Sequence, residues 1–225
     1  MAAARTLLAW SGGKDSAWAL HVLRANGVEV AGLFTTMRED TGRVAVHAVP
    51  RALLHEQIRS VSLPLYELPL PRDPDNALYE RVLGEFVAGA KRGGITHLAF
   101  GDLFLEEIRR YRERQFAQAG VELLFPLWGL PTRPLAEEMV GSGLRAWLTC
   151  VDTTQAPASW AGALFDADFV LGMPDGIDAC GENGEFHTFV FEGPMLERPL
   201  AVRPGGVSRE GRWAYADLVL DPGGR

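Results

Sequence analysis

Apolar and polar positions change their period repeatedly along this chain, and each change marks a predicted element. Residues 6–10 form a nearly continuous apolar run and predict a buried strand. Residues 15–25 then place Trp18, Ala19, Val22 and Leu23 on one helical face, and Gly27 ends that helix. The same reading gives a strand at 28–35, a helix at 50–62 and a short strand at 65–68. After the turn-rich segment 69–74, Asp75 caps a helix running to 91. Strands at 95–100, 121–125 and 146–151 alternate with helices at 106–119 and 135–141. This alternation predicts an α/β fold: a doubly wound, mostly parallel sheet with helices on both faces. Such sheets bind ligands beyond the carboxyl ends of their strands, where Ser11, Thr35, Gly101 and Asp102 arrive.

From Pro126 the pattern loosens, with Pro131, Pro134, Pro157 and the turn 173–176. We therefore expect one domain at 1–125 and a smaller C-terminal lobe at 126–225, its last stretch made of short strands and polar turns.

Composition narrows the class. A chain of 225 residues can bury one substantial core with a small appendage. Cys150 and Cys180 form no C-x-x-C pair, which argues against a zinc or iron–sulfur site and fits a reducing compartment. The apolar run after the first six residues is too short for a signal sequence, and no run reaches membrane-spanning length, so the expected location is the cytoplasm. A net charge of -7 disfavours nucleic acid as a partner. Arg109, Arg110, Arg112 and Arg114 scatter around a helix axis and read as a solvated face.

Two short segments carry candidate chemistry. Ser11-Gly12-Gly13-Lys14-Asp15-Ser16 follows the first strand and opens the first helix. Glycines there let the backbone turn around an anion at the positive helix end, while Ser11 and Ser16 add hydroxyls and Lys14 a charge. The segment is not a Walker A loop, because Asp15 follows Lys14 and no glycine stands five residues before Gly13. The second segment, residues 180–188, packs Glu182, Asn183, Glu185, His187 and Thr188 into nine positions. Extended backbone would put Glu185 and His187 on one face, a pair suited to orienting a metal, to holding an ammonium ion or to proton transfer.

The Ser-Gly-Gly-Lys-Asp-Ser string resembles the PP-loop of the N-type ATP pyrophosphatases. Together with Gly-Glu-Asn-Gly-Glu-Phe-His-Thr at 181–188, Pro-Leu-Trp-Gly at 126–129 and Gly101-Asp102, it resembles the diphthine–ammonia ligase family over residues 5–197, and His187 suggests a prokaryotic-type member. The resemblance implies an adenine nucleotide alpha hydrolase-like, Rossmann-like domain. It also implies ATP-dependent amidation, in which a carboxylate is adenylated, pyrophosphate leaves and ammonia attacks. The family's acceptor is diphthine on an elongation factor; a bacterial member would act on another carboxylate.

On this reading Ser11, Gly12, Gly13, Lys14, Asp15, Ser16 and Gly101 hold the nucleotide phosphates, with Phe34, Thr35 and Met37 near adenine. Asp15 and Asp102 are the candidate Mg²⁺ carboxylates. Lys14, Asp15, Glu182, Glu185 and His187 are the candidate catalytic set. His47 could approach the nucleotide, and Trp128 could wall a pocket. Free ammonium is the expected nitrogen source, and a homodimer is left open. Two alternatives remain at this point: a tRNA-modifying PP-loop enzyme using Cys150 and Cys180, and a non-catalytic adenine-nucleotide sensor.

Overall fold

The computed structural model describes residues 4–44 and 49–221. His47 lies outside the described residues. The chain runs β1 (Arg5–Ala9), α1 (Lys14–Ala25), β2 (Glu29–Arg38), β3 (Arg43–Val44), α2 (Arg51–Val61), β4 (Leu65–Leu70), α3 (Asn76–Arg92), β5 (His97–Ala99), α4 (Glu106–Phe116) and β6 (Glu122–Leu124). It continues through α5 (Thr132–Gly141), β7 (Arg145–Asp152), β8 (Leu164–Phe165), α6 (Ala167–Leu171), β9 (Phe186–Glu192), β10 (Val202–Glu210) and β11 (Trp213–Leu220).

β4, β2, β1, β5 and β6 lie side by side and parallel, and β3 adds an antiparallel pair at the end of β2. Strand alternation sorts the side chains onto two faces. Leu7, Phe34, Leu98 and Phe100 pack against Leu83 and Val87 of α3 and Phe116 of α4. Leu8, Leu33 and Ala99 join the core containing Trp18 of α1 and Leu53 and Leu54 of α2. The expected parallel sheet with helices on both faces is therefore present. Its switch point lies at β1, between β2 on one side and β5 on the other, so the crevice opens directly above the 11–16 loop.

Asp75 caps α3 as expected, accepting the Leu78 N–H at 2.7 Å. β4 extends to Leu70 through Pro69, which an edge strand tolerates because no ladder donor is lost on its open side.

The strand expected at 146–151 does not continue the parallel sheet. As β7 it runs antiparallel to β9 along one edge and to β8 and then β11 along the other, with β10 outside β11. Its apolar run records burial at the middle of a second sheet, and such a run reads alike in parallel and central antiparallel strands. This second sheet packs on the far side of α1. Ala17, Trp18, Ala19 and Leu20 are accordingly no more than 1% exposed, because the helix is covered on two sides rather than one. Hollowing that layer by Trp18→Ala would cost about 3–5 kcal/mol. Among the described residues, no helix is long and apolar enough to cross a membrane.

Candidate active site

The 11–16 loop is pinned from below by a buried amide. Trp10 Nε1 donates to Gln57 Oε1 at 2.9 Å, and Gln57 Nε2 donates to the carbonyls of Gly12 at 2.9 Å and Val190 at 2.7 Å. The Val190 N–H also reaches the Gly12 carbonyl. α2, β9 and the loop thus meet at Gly12, whose φ of 81° and approach to Gln57 suit only glycine. At the crevice's other wall, a Cβ on Gly101 would stand 2.9 Å from the Asp15 carbonyl carbon, so β5 can end against the start of α1 only with glycine there.

Within the loop, Gly13 N donates to Ser11 Oγ and Lys14 N to Thr188 Oγ1 at 3.1 Å, while Ser11 and Ser16 share a hydroxyl contact at 3.2 Å. The Lys14 ammonium is buried. It donates to the Cys180 carbonyl and to Asp15 Oδ2 at 3.0 Å, and lies 5.2 Å from the Phe186 ring centre. Burial works to lower the Lys14 pKa, but the Asp15 carboxylate and other nearby acidic groups outweigh it and hold it above its ordinary value. The two sequence segments, 174 positions apart at Lys14 and Thr188, are therefore joined at a backbone N–H and at an ammonium.

Between them lies a cavity of about 540 Å³, within the range of small-molecule sites. Of the residues singled out from sequence, Ser11, Gly13, Lys14, Asp15, Ser16, Phe34, Thr35, Gly101, Asp102, Glu182 and His187 all line it. Phe34, Leu70, Tyr79 and Leu83 add apolar surface to the same lining.

Glu182 Oε1 accepts the Leu103 N–H at 2.9 Å, and burial pushes its carboxyl up to about 7. Burial, with the Lys14 charge adding to it, lowers His187 to about 4, so its imidazole is neutral at physiological pH. Burial likewise raises the Asp15 carboxyl, opposed by Lys14.

The family follows from comparison with known proteins. The family model described as the diphthamide synthase N-terminal domain matches residues 4–123, and that of the diphthamide synthase C-terminal domain matches residues 131–220. The chain belongs to the diphthamide synthase family. Among curated proteins none matches it. Membership bears out the resemblance carried by the two segments and makes the chain a PP-loop, ATP-utilising enzyme of the diphthine–ammonia ligase type.

Several residues of this synthase-family site differ in placement from the expectation. Glu185 does not line the cavity; its Oε1 accepts the Asp178 N–H at 3.0 Å and Asn183 Nδ2 at 3.1 Å, bracing the loop behind Glu182. The reason is that the Asp178 N–H and the Asn183 amide draw its carboxylate back onto its own loop, although its backbone still pairs with Asp152 of β7. Gly12 lies beneath the cavity rather than on its wall, held by Gln57. Met37 turns into the core, and Trp128 packs edge-on against Phe125 with the Arg109 guanidinium over it.

Arg109 and Arg110 do form the solvated face, paired with Glu113 and Glu106. Arg112 does not: it lines the cavity, stacks 4.2 Å from the Phe100 ring centre and grips both oxygens of Asp102. Tyr79 and Gln57 carried no sequence signal, because each acts through a partner distant in the chain; Thr188 stood in the second segment, and its contact with the Lys14 N–H is what the fold adds.

Asp15 fits the role of a Mg²⁺ ligand, since its Oδ1 is buried and has no hydrogen-bond partner among the described residues. Asp102 fits less directly, being held by Arg112. Among the described residues no group of three or more His, Cys, Asp or Glu comes together to hold a metal, so an ion here must take most of its ligands from phosphate and water. Both thiols are buried and neither lines the cavity. Burial raises Cys150 to about 11 and raises Cys180 as well, the reverse of what a thiolate nucleophile needs.

Proposed function

We propose that this chain is an amide-forming ligase that adenylates a carboxylate with ATP, releases pyrophosphate, and transfers the acyl group to ammonia with release of AMP. The observation that carries this reading is the single cavity walled on one side by the Ser11–Ser16 loop and on the other by Glu182 and His187. On this reading residues 1–125 supply the nucleotide site and 126–225 the acceptor side.

In the first step an oxygen of the acceptor carboxylate attacks the α-phosphorus, and the bond to the β-phosphate oxygen breaks. Negative charge builds on departing pyrophosphate, and preorganised donors at that point lower the barrier. On this reading Lys14 Nζ and the Ser11 and Ser16 hydroxyls, which line the cavity at the N-terminus of α1, supply those donors. Phe34 and Thr35, on the same cavity wall, receive adenine. Mg²⁺, when held by Asp15 and phosphate oxygens, neutralises part of the triphosphate charge.

In the second step the nitrogen attacks the acyl carbon and AMP leaves. Ammonium must first surrender a proton. Glu182, with its carboxyl near 7, is half ionised at neutral pH and suited to accept it. His187, neutral and weakly basic, serves as a hydrogen-bonding wall rather than as the base.

Product analysis tests the proposal. The chain is incubated with ATP, Mg²⁺, ¹⁵N-ammonium and either a diphthine-bearing elongation factor or a panel of small carboxylates. AMP, pyrophosphate and a ¹⁵N-amide in equal amounts are expected. ADP and phosphate would overturn the reading, and tight nucleotide binding without turnover on any acceptor would favour a sensor.

A further inference from the structure

Glu182 and Cys180 stand on a loop, residues 178–184, whose shape depends on one side chain that the proposed chemistry does not use. Asp178 Oδ1 accepts two backbone N–H groups, from Cys180 at 3.0 Å and from Glu182 at 3.1 Å. Its Oδ2 accepts the Thr132 hydroxyl at 2.5 Å, at the start of α5. The Asp178 N–H is held in turn by Glu185 Oε1, which also takes Asn183 Nδ2. One carboxylate oxygen therefore sets both outputs of the loop: the Cys180 carbonyl that receives the Lys14 ammonium, and the Glu182 carboxylate that receives the Leu103 N–H.

We infer that Asp178 is a positioning residue for Glu182, acting through the backbone N–H groups of Cys180 and Glu182, with Thr132 fixing the direction from which it does so. Three observations favour this over a general stabilising role. The two accepted N–H groups belong to the residues that face the phosphate loop. Both Asp178 oxygens are engaged, so the carboxylate cannot swing without breaking a bond. Glu185, the other carboxylate of the segment, fixes Asp178 itself and lies outside the cavity wall. The inference rests on the ligase reading for what Glu182 does, and on hydrogen bonds alone for where Glu182 stands.

The Leu103 amide reports whether Glu182 is in place, so the test needs no acceptor. Full-length protein labelled with ¹⁵N-leucine is compared as wild type, Asp178→Ala, Asp178→Asn and Glu182→Ala by amide hydrogen exchange. Leu7 and Leu8 in β1 serve as internal references for folding.

In Asp178→Ala the Leu103 amide is expected to exchange at least ~10-fold faster, close to the Glu182→Ala rate, while Leu7 and Leu8 keep their protection. Asp178→Asn retains an oxygen for the two N–H groups and an NH₂ for the Thr132 hydroxyl, so its Leu103 rate is expected within about 3-fold of wild type. Wild-type protection of Leu103 in Asp178→Ala overturns the inference, as does an Asp178→Asn rate equal to that of the alanine variant. If Asp178→Ala loses protection at Leu7 and Leu8 too, Thr132→Val decides: faster exchange at Leu103 alone supports the inference, and an unchanged rate sinks it. Failure of the ligase reading would show instead as ADP formed by the wild type, leaving the exchange result intact.

Discussion

Replacing Glu182 by Gln should make the protein more stable at high pH while removing its chemistry. The folded carboxyl titrates near 7 against an ordinary value of 4.5, so the folded state holds a proton that the unfolded chain releases earlier. Stability therefore falls as pH rises from about 4.5 through 7, by an upper figure of ~3 kcal/mol at 1.36 kcal/mol per unit. Between pH 5 and 8 the share lost is about 2 kcal/mol, some of it recovered by water reaching the partly buried group. Glutamine keeps an oxygen for the Leu103 N–H and removes the ionisation. Urea unfolding of both proteins at pH 5 and pH 8 should show the variant gaining about 2 kcal/mol on the wild type between the two pH values. In the same variant, loss of a general base should slow amide formation ~10²–10³-fold, with adenylation changed less than about 3-fold. An equal pH dependence of stability in the two proteins would refute the burial argument, and unimpaired amide formation would refute the assignment of the base.

Three further outcomes follow from the same contacts. Lys14→Met removes the buried ammonium that the proposed mechanism sets against departing pyrophosphate and should lower AMP formation by ~10²-fold or more, measured by chromatography of the nucleotides. Gln57→Leu breaks the bonds to Trp10, Gly12 and Val190 together and leaves buried groups unpaired; a loss of about 3 kcal/mol is expected in urea unfolding, with weaker nucleotide binding by calorimetry. The double variant Cys150→Ser, Cys180→Ser should retain AMP and amide formation within about 3-fold, since both thiols are buried and held protonated, and rapid labelling of the wild type by iodoacetamide at pH 7.5 would contradict that.

The parts of this molecule that sequence reveals are the parts whose geometry is local. The 11–16 loop is contiguous, so its residue types state its purpose, and strand–helix alternation through residue 125 states the sheet. The placement of 146–151 was not legible, because burial on both faces looks alike whatever the direction of a strand's neighbours. Four arginines scattered around α4 read as solvated, and only the orientation of that helix against the end of β5 turns Arg112 inward onto Asp102. Gln57 reads as an ordinary polar helix residue until α2 is packed under Gly12. Glu185 illustrates the opposite error: its period matches His187, but its carboxylate is held by the Asp178 N–H and the Asn183 amide of its own loop.

Because α1 is covered on both sides, the two sheets cannot hinge apart about the phosphate loop without exposing the Ala17–Leu20 layer and pulling the Lys14 ammonium from the Cys180 carbonyl. The helix behaves as a keystone. Any ligand must therefore reach the cavity with that layer left intact, and on the proposed ligase reading an acceptor carboxylate arrives beside Glu182 without a parting of the two sheets.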